Sequence, residues 1–302
     1  MKPLRSVRVL SLALNLPGPA ALMRLRAMGA RCSKVEPPTP KQAAMTPSAD
    51  PMQQYAPAAY AQLHEGIRLL RLDLKSETGQ RALDRELARS DVLLTSFRPS
   101  ALQRLGLAWP QLHRRHPQLS LVSIVGWPGA GAEIPGHDLT YMAENELLTG
   151  LQQPPTLFAD MGGALMASEA VLQAMLQRHT SGRGSRHEVA LSDAAAWLAL
   201  PRRWGLTRPS TRQAPDGGIL SGRHAGYRVY ACRDGRVAVA ALEPHFARAL
   251  GEVTSLPLHR PEDLVAAATH RHLELWFARK TRAALDRLAN EHDLPLHTLP
   301  AR

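Results

Sequence analysis

The first thirty-five residues place two short apolar runs on either side of one amphipathic segment. Residues 7–14 are rich in Val and Leu and precede Pro17, a pattern typical of a buried strand that ends at a turn. Residues 19–28 carry apolar side chains at helical spacing and precede Gly29, which predicts a helix. Residues 32–35 predict a second strand. A strand, a helix and a strand this close together predict a βαβ unit, and therefore a parallel sheet with right-handed crossovers.

The same alternation continues toward the middle of the chain. Residues 67–74, 92–95 and 119–125 predict strands, whereas residues 78–89, 138–148 and 160–179 predict helices; residues 37–66, with many Pro, Ala and Gln, predict an irregular excursion. We therefore expect an α/β fold whose large domain, residues 1–195, holds a Rossmann-like parallel sheet. The first turn lacks G-x-G-x-x-G, so the NAD-binding fingerprint is absent.

Beyond about residue 195 the composition changes. Residues 201–221 are rich in Arg, Pro and Gly, and we interpret residues 196–222 as a linker. Residues 226–232 and 236–241 flank Asp234-Gly235, which predicts a β-hairpin, and residues 245–251 and 272–291 predict helices. Residues 223–302 are therefore expected to form a small α+β domain.

The net charge of the chain limits the classes of partner that it is expected to bind. The formal net charge is +11, yet aromatic residues make up only 5% and no dense Lys/Arg block occurs, which disfavours nucleic-acid binding. Two explanations remain: arginines scattered over solvated helix faces, or a surface that attracts a polyanionic small molecule such as a nucleotide-bearing cofactor. Apolar residues 9–14 follow basic ones, but this run is too short for a membrane helix and is better explained as the first strand. We expect a cytoplasmic protein without a membrane partner.

Cysteine and histidine spacing gives little support for a metal site. Cys32 and Cys232 lie far apart, without the spacing of a disulfide framework or a zinc site. Two histidine pairs have ligand-like spacing but no third ligand nearby, and we interpret them as parts of solvated helix faces: His113 with His116, and His270 with His272. We expect no bound metal.

One histidine and one carboxylate stand out as an acid/base pair. His137 follows Gly136, and Asp160 precedes Met161-Gly162, each beside a predicted helix start. Such a pair can remove a proton from one face of a carbon and return it to the other. The N–H groups of Met161 and Gly162 would then form an oxyanion site. Each residue also has an ordinary explanation, since Asp160 suits a helix N-cap and His137 suits a loop.

Eight short segments occur in a recognisable order. They are Arg71-Leu72-Asp73-Leu74-Lys75, Phe97-Arg98-Pro99, Arg104-Leu105-Gly106-Leu107, Gly126-Trp127, residues 136–143 from Gly136 to Ala143, Ala159-Asp160-Met161-Gly162-Gly163, Thr180-Ser181-Gly182-Arg183-Gly184 and Ala241-Leu242-Glu243-Pro244. In this order the sequence resembles the family III CoA-transferases, which include α-methylacyl-CoA racemases and carnitine-type CoA-transferases. His137 and the Ala-Leu-Glu-Pro segment are similar to the racemase branch.

The resemblance implies a role for specific residues. His137 and Asp160 would be the catalytic pair, with Glu243 orienting His137 or tuning its charge. Glu243 has an ordinary alternative too, as a helix start before Pro244. Coenzyme A would enter as part of the substrate, without a prosthetic group. Its phosphates or adenine would contact the basic side chains of Arg71, Lys75 and Arg98, which are otherwise ordinary charges at strand ends.

The resemblance also implies an intertwined homodimer, with each active site between the large domain of one subunit and the small domain of the other. Three departures bear on activity: Pro37 stands where many relatives have a basic residue, Ser100 replaces the usual glycine, and relatives usually continue past the segment matching residues 293–299. Three functions follow. The first is epimerisation at the α-carbon of a 2-methyl-branched acyl-CoA. The second is CoA transfer between carboxylates with Asp160 as nucleophile, and the third is acyl-CoA binding without turnover.

Overall fold

The computed structural model describes residues 2–38, 49–207, 217–258 and 260–301. The chain divides into two compact units, Met1–Ala199 and Leu200–Arg302. The functional division into a CoA-binding domain at 1–195, a linker at 196–222 and a small domain at 223–302 stays a prediction. No helix in the described ranges is long and apolar enough to cross a membrane.

A six-stranded parallel sheet forms the centre of the first unit. In chain order its strands are β1 (Arg8–Ser11), β2 (Arg31–Glu36), β3 (Arg68–Arg71), β4 (Val92–Thr95), β5 (Ser120–Val125) and β6 (Arg186–Ala190). They lie side by side in the order β3-β2-β1-β4-β5-β6, and every neighbouring pair is parallel. The predicted parallel α/β sheet is confirmed. Strand β6 was not predicted, because it begins with the polar residues Arg186, His187 and Glu188 rather than with an apolar run.

Helices cover both faces of this sheet. They are α1 (Pro17–Ala27), α2 (Pro51–Tyr55), α3 (Pro57–Leu63), α4 (Glu77–Leu87), α5 (Pro99–Arg104), α6 (Trp109–Arg115), α7 (Asp138–Glu144), α8 (Phe158–Ser181) and α9 (Leu191–Leu198). One apolar core joins the sheet to α1, α3 and α8, and a second joins it to α4, α5 and α6. The buried side chains of β1, β4 and β5 are shared between these two cores, which explains their nearly continuous Val, Leu and Ile runs.

The expectation of irregular structure over residues 37–66 was wrong for most of the residues that the structure describes. Helices α2 and α3 occupy much of this segment, while residues 39–48 lie outside the described part of the chain. Asp50 caps α2 by accepting a hydrogen bond from the Met52 N–H at 2.9 Å, and Pro51 and Pro57 each take the first helical position. Aspartate before proline at a helix start is a sequence signal that the Pro-rich composition obscured.

The strand order reverses between β1 and β4. The loops that follow these two strands therefore diverge at the carboxyl edge of the sheet and leave a crevice between them. Ligands of open α/β sheets bind at such a point.

The second unit contains a three-stranded antiparallel sheet, β7 (Tyr227–Cys232), β8 (Gly235–Ala240) and β9 (Leu296–Pro300). Strands β7 and β8 form the predicted hairpin around Arg233 and Asp234. The helices are α10 (Leu200–Arg203), α11 (Pro244–Thr254), α12 (Ala267–Ala278) and α13 (Arg282–Glu291), with a π-type turn at Ile219–Arg223 and a 3-10 turn at Pro261–Val265. This confirms a small α+β unit.

One expectation in this unit needs correction. The helix predicted at residues 272–291 is two helices, because Thr281 starts α13 with a side-chain hydrogen bond from the Ala284 N–H. The linker predicted at residues 196–222 stays a prediction; this segment contains α10, and residues 208–216 lie outside the described part of the chain.

Candidate active site

A cavity of about 180 Å³ lies at the crevice in the first unit. The loops after β1, β4 and β5 and the starts of α7 and α8 line it. Its polar side chains are Asn15, Ser96, Arg98, His137, Tyr141 and Asp160. The structure therefore brings His137 and Asp160, predicted as a pair from separate sequence segments, to the wall of one cavity.

His137 is the N-cap residue of α7, and its backbone is held in place by Thr140. The Thr140 Oγ1 accepts from the His137 N–H at 3.1 Å and donates to the His137 carbonyl at 2.7 Å. The imidazole itself is exposed. The backbone is thus fixed while the ring stays available to a substrate.

Asp160 is the third residue of α8, inside the helix rather than at its cap. Its own N–H donates to Asp138 Oδ1 at 2.9 Å. The Met161 N–H donates to the Leu157 carbonyl at 3.0 Å. The predicted oxyanion site at Met161 and Gly162 was therefore wrong, because Met161 already belongs to the hydrogen-bond ladder of the helix and Gly162 lies one residue further in.

The ionisation of the Asp160 carboxyl is shifted toward neutral pH. Burial, and next the charge of the nearby Asp138 carboxylate, together raise the pKa of Asp160 to about 7. Asp138 is only 4% exposed, so water screens its charge poorly. Near pH 7, both the carboxylic acid and the carboxylate of Asp160 are populated, as an acid/base catalyst requires.

Tyr141 forms another wall of the cavity. Burial, and next the Asp160 carboxylate, raise the pKa of Tyr141 to about 12, so its hydroxyl stays protonated and can donate a hydrogen bond. A side chain at Gly126 would place its Cβ 2.7 Å from this hydroxyl. At Gly136 a Cβ would lie 2.7 Å from the Trp127 ring and 2.8 Å from the Tyr141 ring. Both glycines are therefore required by close packing around Tyr141.

A second cavity, about 550 Å³ and lined mostly by apolar residues, opens at the ends of β1, β2, β3 and β4. Lys75 and Arg104 are its basic lining residues. Arg98 lines the first cavity instead, and Arg71, the last residue of β3, is not among the described residues that line either one. The structure therefore separates the three basic residues predicted to bind CoA, and Arg104 is a basic residue that the sequence analysis did not select.

A carboxylate lies next to these basic residues. Glu133 accepts hydrogen bonds from the Ser100 N–H at 2.6 Å and from the Ser100 hydroxyl at 2.9 Å. The bond from the Ser100 N–H is the main cause that lowers the pKa of Glu133, and the charges of Arg98 and Arg104 lower it further. The serine that departs from the resembled family thus holds a negative charge beside two arginines.

Glu243 belongs to the second unit, where it is the exposed N-cap residue of α11. Its carbonyl accepts from the Ala247 N–H at 2.9 Å, and its side chain makes no capping hydrogen bond. Its predicted action on His137 stays a prediction.

The histidine pairs considered as metal ligands contact protein groups and are half-buried, so their interpretation as solvated helix faces was wrong. The contacts are His113 with Arg183, His116 with Asp84, His270 with Arg223 and Arg228, and His272 with the Thr254 carbonyl.

The model of CoA-transferase family III matches residues 4–300. The chain belongs to CoA-transferase family III. As a member of this family, it has relatives that are named for two different reactions.

Alpha-methylacyl-CoA racemase of Homo sapiens is 30% identical over 255 residues, which cover 80% of this chain and 62% of the racemase. The probable fatty acyl-CoA transferase Rv3272 of Mycobacterium tuberculosis is 31% identical over 206 residues, which cover 65% of this chain and 52% of that protein. A crystal structure of Rv3272 matches with a TM-score of 0.80 at 25% identity, over 99% of this chain and 83% of the other. The chain thus spans between half and two thirds of these curated relatives.

Proposed function

We propose that this protein epimerises the α-carbon of a 2-methyl-branched acyl-CoA thioester. The observation that carries the proposal is that Asp160, with a pKa raised to about 7, lines the same cavity as His137. The named racemase relatives support the same chemistry.

The reaction needs one base and one acid on opposite faces of the α-carbon. The neutral imidazole of His137 takes the α-proton, and the electron pair of the C–H bond moves onto the thioester oxygen as an enolate. The protonated Asp160 then gives its proton to the other face, which inverts the centre and leaves an imidazolium and a carboxylate. The opposite epimer reacts in the reverse sense. Because the pKa of Asp160 is close to 7, proton loss and gain are nearly balanced at neutral pH.

For the CoA portion, we propose that the second cavity takes the nucleotide end. Its apolar wall suits an adenine ring, and Lys75 and Arg104 would bind phosphates through charge-assisted hydrogen bonds. Arg98, at the first cavity, would bind a phosphate nearer the thioester. Arg71, away from both linings, would contribute by its charge alone.

The assembly is also part of the proposal. Helices α8 and α9 pack together and expose large apolar side chains: Met161 at 40%, Leu165 at 49% and Trp197 at 70%. An exposed apolar face of this kind suits association with a second copy of the chain. In such a homodimer Glu243 would orient the exposed His137 ring. We propose a cytoplasmic location, in keeping with two free cysteines.

A second candidate is CoA transfer between carboxylates, which the transferase relatives favour. The Asp160 carboxylate would attack the thioester carbonyl and release the CoA thiolate, leaving a mixed anhydride. The thiolate would then attack the aspartyl carbonyl and expel the first carboxylate, giving an Asp160–CoA thioester. A second carboxylate would take over the CoA by the same two steps in reverse.

The deciding experiment is NMR of a chiral 2-methylacyl-CoA in heavy water with the wild-type protein, His137→Ala and Asp160→Asn. Epimerisation predicts loss of the α-proton signal and appearance of the opposite epimer with the wild type, and no opposite epimer with either variant, since each variant keeps only one of the two bases. An unchanged α-proton with the wild type would exclude epimerisation of that substrate. Hydroxylamine or borohydride trapping of an Asp160 thioester would then identify transfer. Binding of the acyl-CoA with neither reaction would indicate a binding protein without turnover.

A further inference from the structure

Four buried polar side chains lie close together in the first unit. Lys34, on β2, is fully buried, and its Nζ lies 2.5 Å from Asp50 Oδ2, 2.9 Å from His64 Nε2 and 3.0 Å from Glu36 Oε1. His64 Nδ1 lies 2.7 Å from the Tyr60 carbonyl, so the ring donates there and accepts from Lys34 as a neutral imidazole.

This cluster is not a vacant cation site. Two carboxylates and an imidazole are groups that metals bind, but the Lys34 ammonium lies within hydrogen-bonding distance of all three and supplies the positive charge. Burying four such groups is costly unless each is paired, and removing one partner is strongly destabilising. The contacts of Lys34 with Asp50, His64 and Glu36 provide this pairing.

Asp50 connects the cluster to the cavity. Besides Lys34, its carboxylate accepts from the Asn15 N–H at 3.2 and 3.3 Å. Asn15 has φ +62°, in the left-handed region that most side chains avoid and asparagine tolerates. Asn15 follows β1 and lines the cavity with His137 and Asp160. Asp50 thus holds the backbone of the turn at Asn15, a residue that lines the cavity.

A donor of this kind is needed by the chemistry. An enolate develops negative charge on the thioester oxygen, and the N–H group of Met161 that the sequence offered for it is engaged within α8. We propose that the Asn15 carboxamide donates a hydrogen bond to the thioester oxygen, and that Asp50, held by Lys34, is the positioning residue that fixes Asn15 for this contact. The inference rests on the proposed function, because it requires an acyl-CoA thioester in this cavity.

The test compares two ligands that differ by one oxygen: isobutyryl-CoA and its thioether isobutyl-CoA, which lacks the carbonyl. Calorimetry gives both Kd values for the wild type, Asn15→Gly and Tyr141→Phe. Glycine accepts the left-handed backbone without strain, so Asn15→Gly removes only the side chain. We expect Asn15→Gly to weaken isobutyryl-CoA binding about fivefold relative to the thioether, the net contribution of one hydrogen bond. In heavy water, α-proton exchange should fall about a hundredfold, as on loss of an oxyanion donor.

Asp50 is tested by Asp50→Ala alone and combined with Asn15→Gly. If Asp50 positions Asn15, Asp50→Ala and the double variant should change the ratio of the two Kd values by the same amount. The two effects should not add, because the two residues act as a unit. A merely structural role would lower Tm and leave the ratio of the two Kd values unchanged. If Asp50→Ala does not fold, Asn15→Gly still decides the role of the carboxamide.

An equal ratio of the two Kd values in the wild type and Asn15→Gly would overturn the inference. A ratio that changes only in Tyr141→Phe would overturn it too, because the donor would then be Tyr141. Different results would refute the proposed function. The wild type would show no α-proton exchange while the ratio of Kd values still reported on Asn15, or it would bind neither ligand, in which case both proposals fall.

Discussion

The Oδ1 atom of Asp138 accepts the backbone N–H of Asp160 at 2.9 Å, across 22 residues of sequence. This contact joins the start of α7 to the first turn of α8, which lines the cavity. The same carboxylate raises the pKa of Asp160. A single buried side chain therefore contributes both to the position of Asp160 and, after burial itself, to its raised pKa.

Replacing Asp138 by asparagine separates these two effects. In Asp138→Asn the amide oxygen can still accept the Asp160 N–H, but the negative charge is gone, so the pKa of Asp160 should fall below about 7. Carbon-13 NMR of the aspartate carboxyls measures this pKa directly. Glu169→Gln, which removes an exposed carboxylate from the same helix, is the control and should leave it unchanged. An equal pKa in Asp138→Asn and the wild type would contradict the prediction.

The raised pKa of Asp160 also makes stability depend on pH. Between the ordinary value of 3.8 and about 7, the folded state keeps a proton that the unfolded state has lost, so the free energy of unfolding falls as pH rises. The total loss is roughly 2–4 kcal/mol, and Asp160→Asn should abolish it. Urea denaturation at pH 5 and pH 8 measures the larger part of it, since about two of the roughly three pH units concerned lie above pH 5. Parallel losses in both proteins would show that Asp160 is not the group responsible.

Gly136→Ala should damage the site through packing alone. The new methyl would meet the Trp127 and Tyr141 rings at under 3 Å, and overpacking of this kind costs about 1–3 kcal/mol. Turnover should fall because the next residue is His137. Gly150→Ala is the matched control, since its Cβ would meet nothing within 4 Å. Thermal unfolding and turnover of both variants are measured together, and equal effects would exclude a special requirement at Gly136.

Much of the sheet could be predicted because burial on both faces produces continuous apolar runs. Strands β4 and β5 are of this kind, and so their positions were apparent from the sequence. Strand β6 is an edge strand with polar side chains, so its sequence resembles a loop. Helices α2 and α3 were missed because each is short and begins with proline, and composition alone suggested irregular structure.

The residues of the site could be predicted only where each stands within a recognisable sequence segment. His137 and Asp160 each stand in a recognisable segment, and both line the cavity. The contact of Asp138 with Asp160 joins two separate segments, so spacing could not reveal it. The role of Asp50 depends likewise on its contact with Asn15, 35 residues away. Such tertiary pairings are decided by packing rather than by any local pattern.

The basic residues of the second cavity are expected to affect binding of coenzyme A but not the chemical step. Lys75→Ala and Arg104→Ala should weaken coenzyme A binding and raise KM, with kcat changed little, because neither residue lines the cavity of His137 and Asp160. Arg85→Ala, on α4 and outside the described lining of both cavities, is the control. Steady-state kinetics with calorimetry of coenzyme A gives both quantities. A fall in kcat with unchanged KM would place these residues in the chemical step instead.

Removing the charge of Glu133 is expected to strengthen the binding of coenzyme A rather than weaken it. Its carboxylate is held by Ser100 beside Arg98 and Arg104, where it partly offsets the positive charge proposed to meet the phosphates of coenzyme A. Glu133→Gln should therefore tighten coenzyme A binding by about two- to fivefold at low salt, and the gain should shrink as salt screens these exposed charges. Ser100→Gly should tighten it less, since the Ser100 backbone N–H still holds the carboxylate in place. Calorimetric titrations at two salt concentrations measure both effects. Weaker binding in Glu133→Gln would mean that the carboxylate serves to order the loop that carries Arg98, and that its charge is secondary.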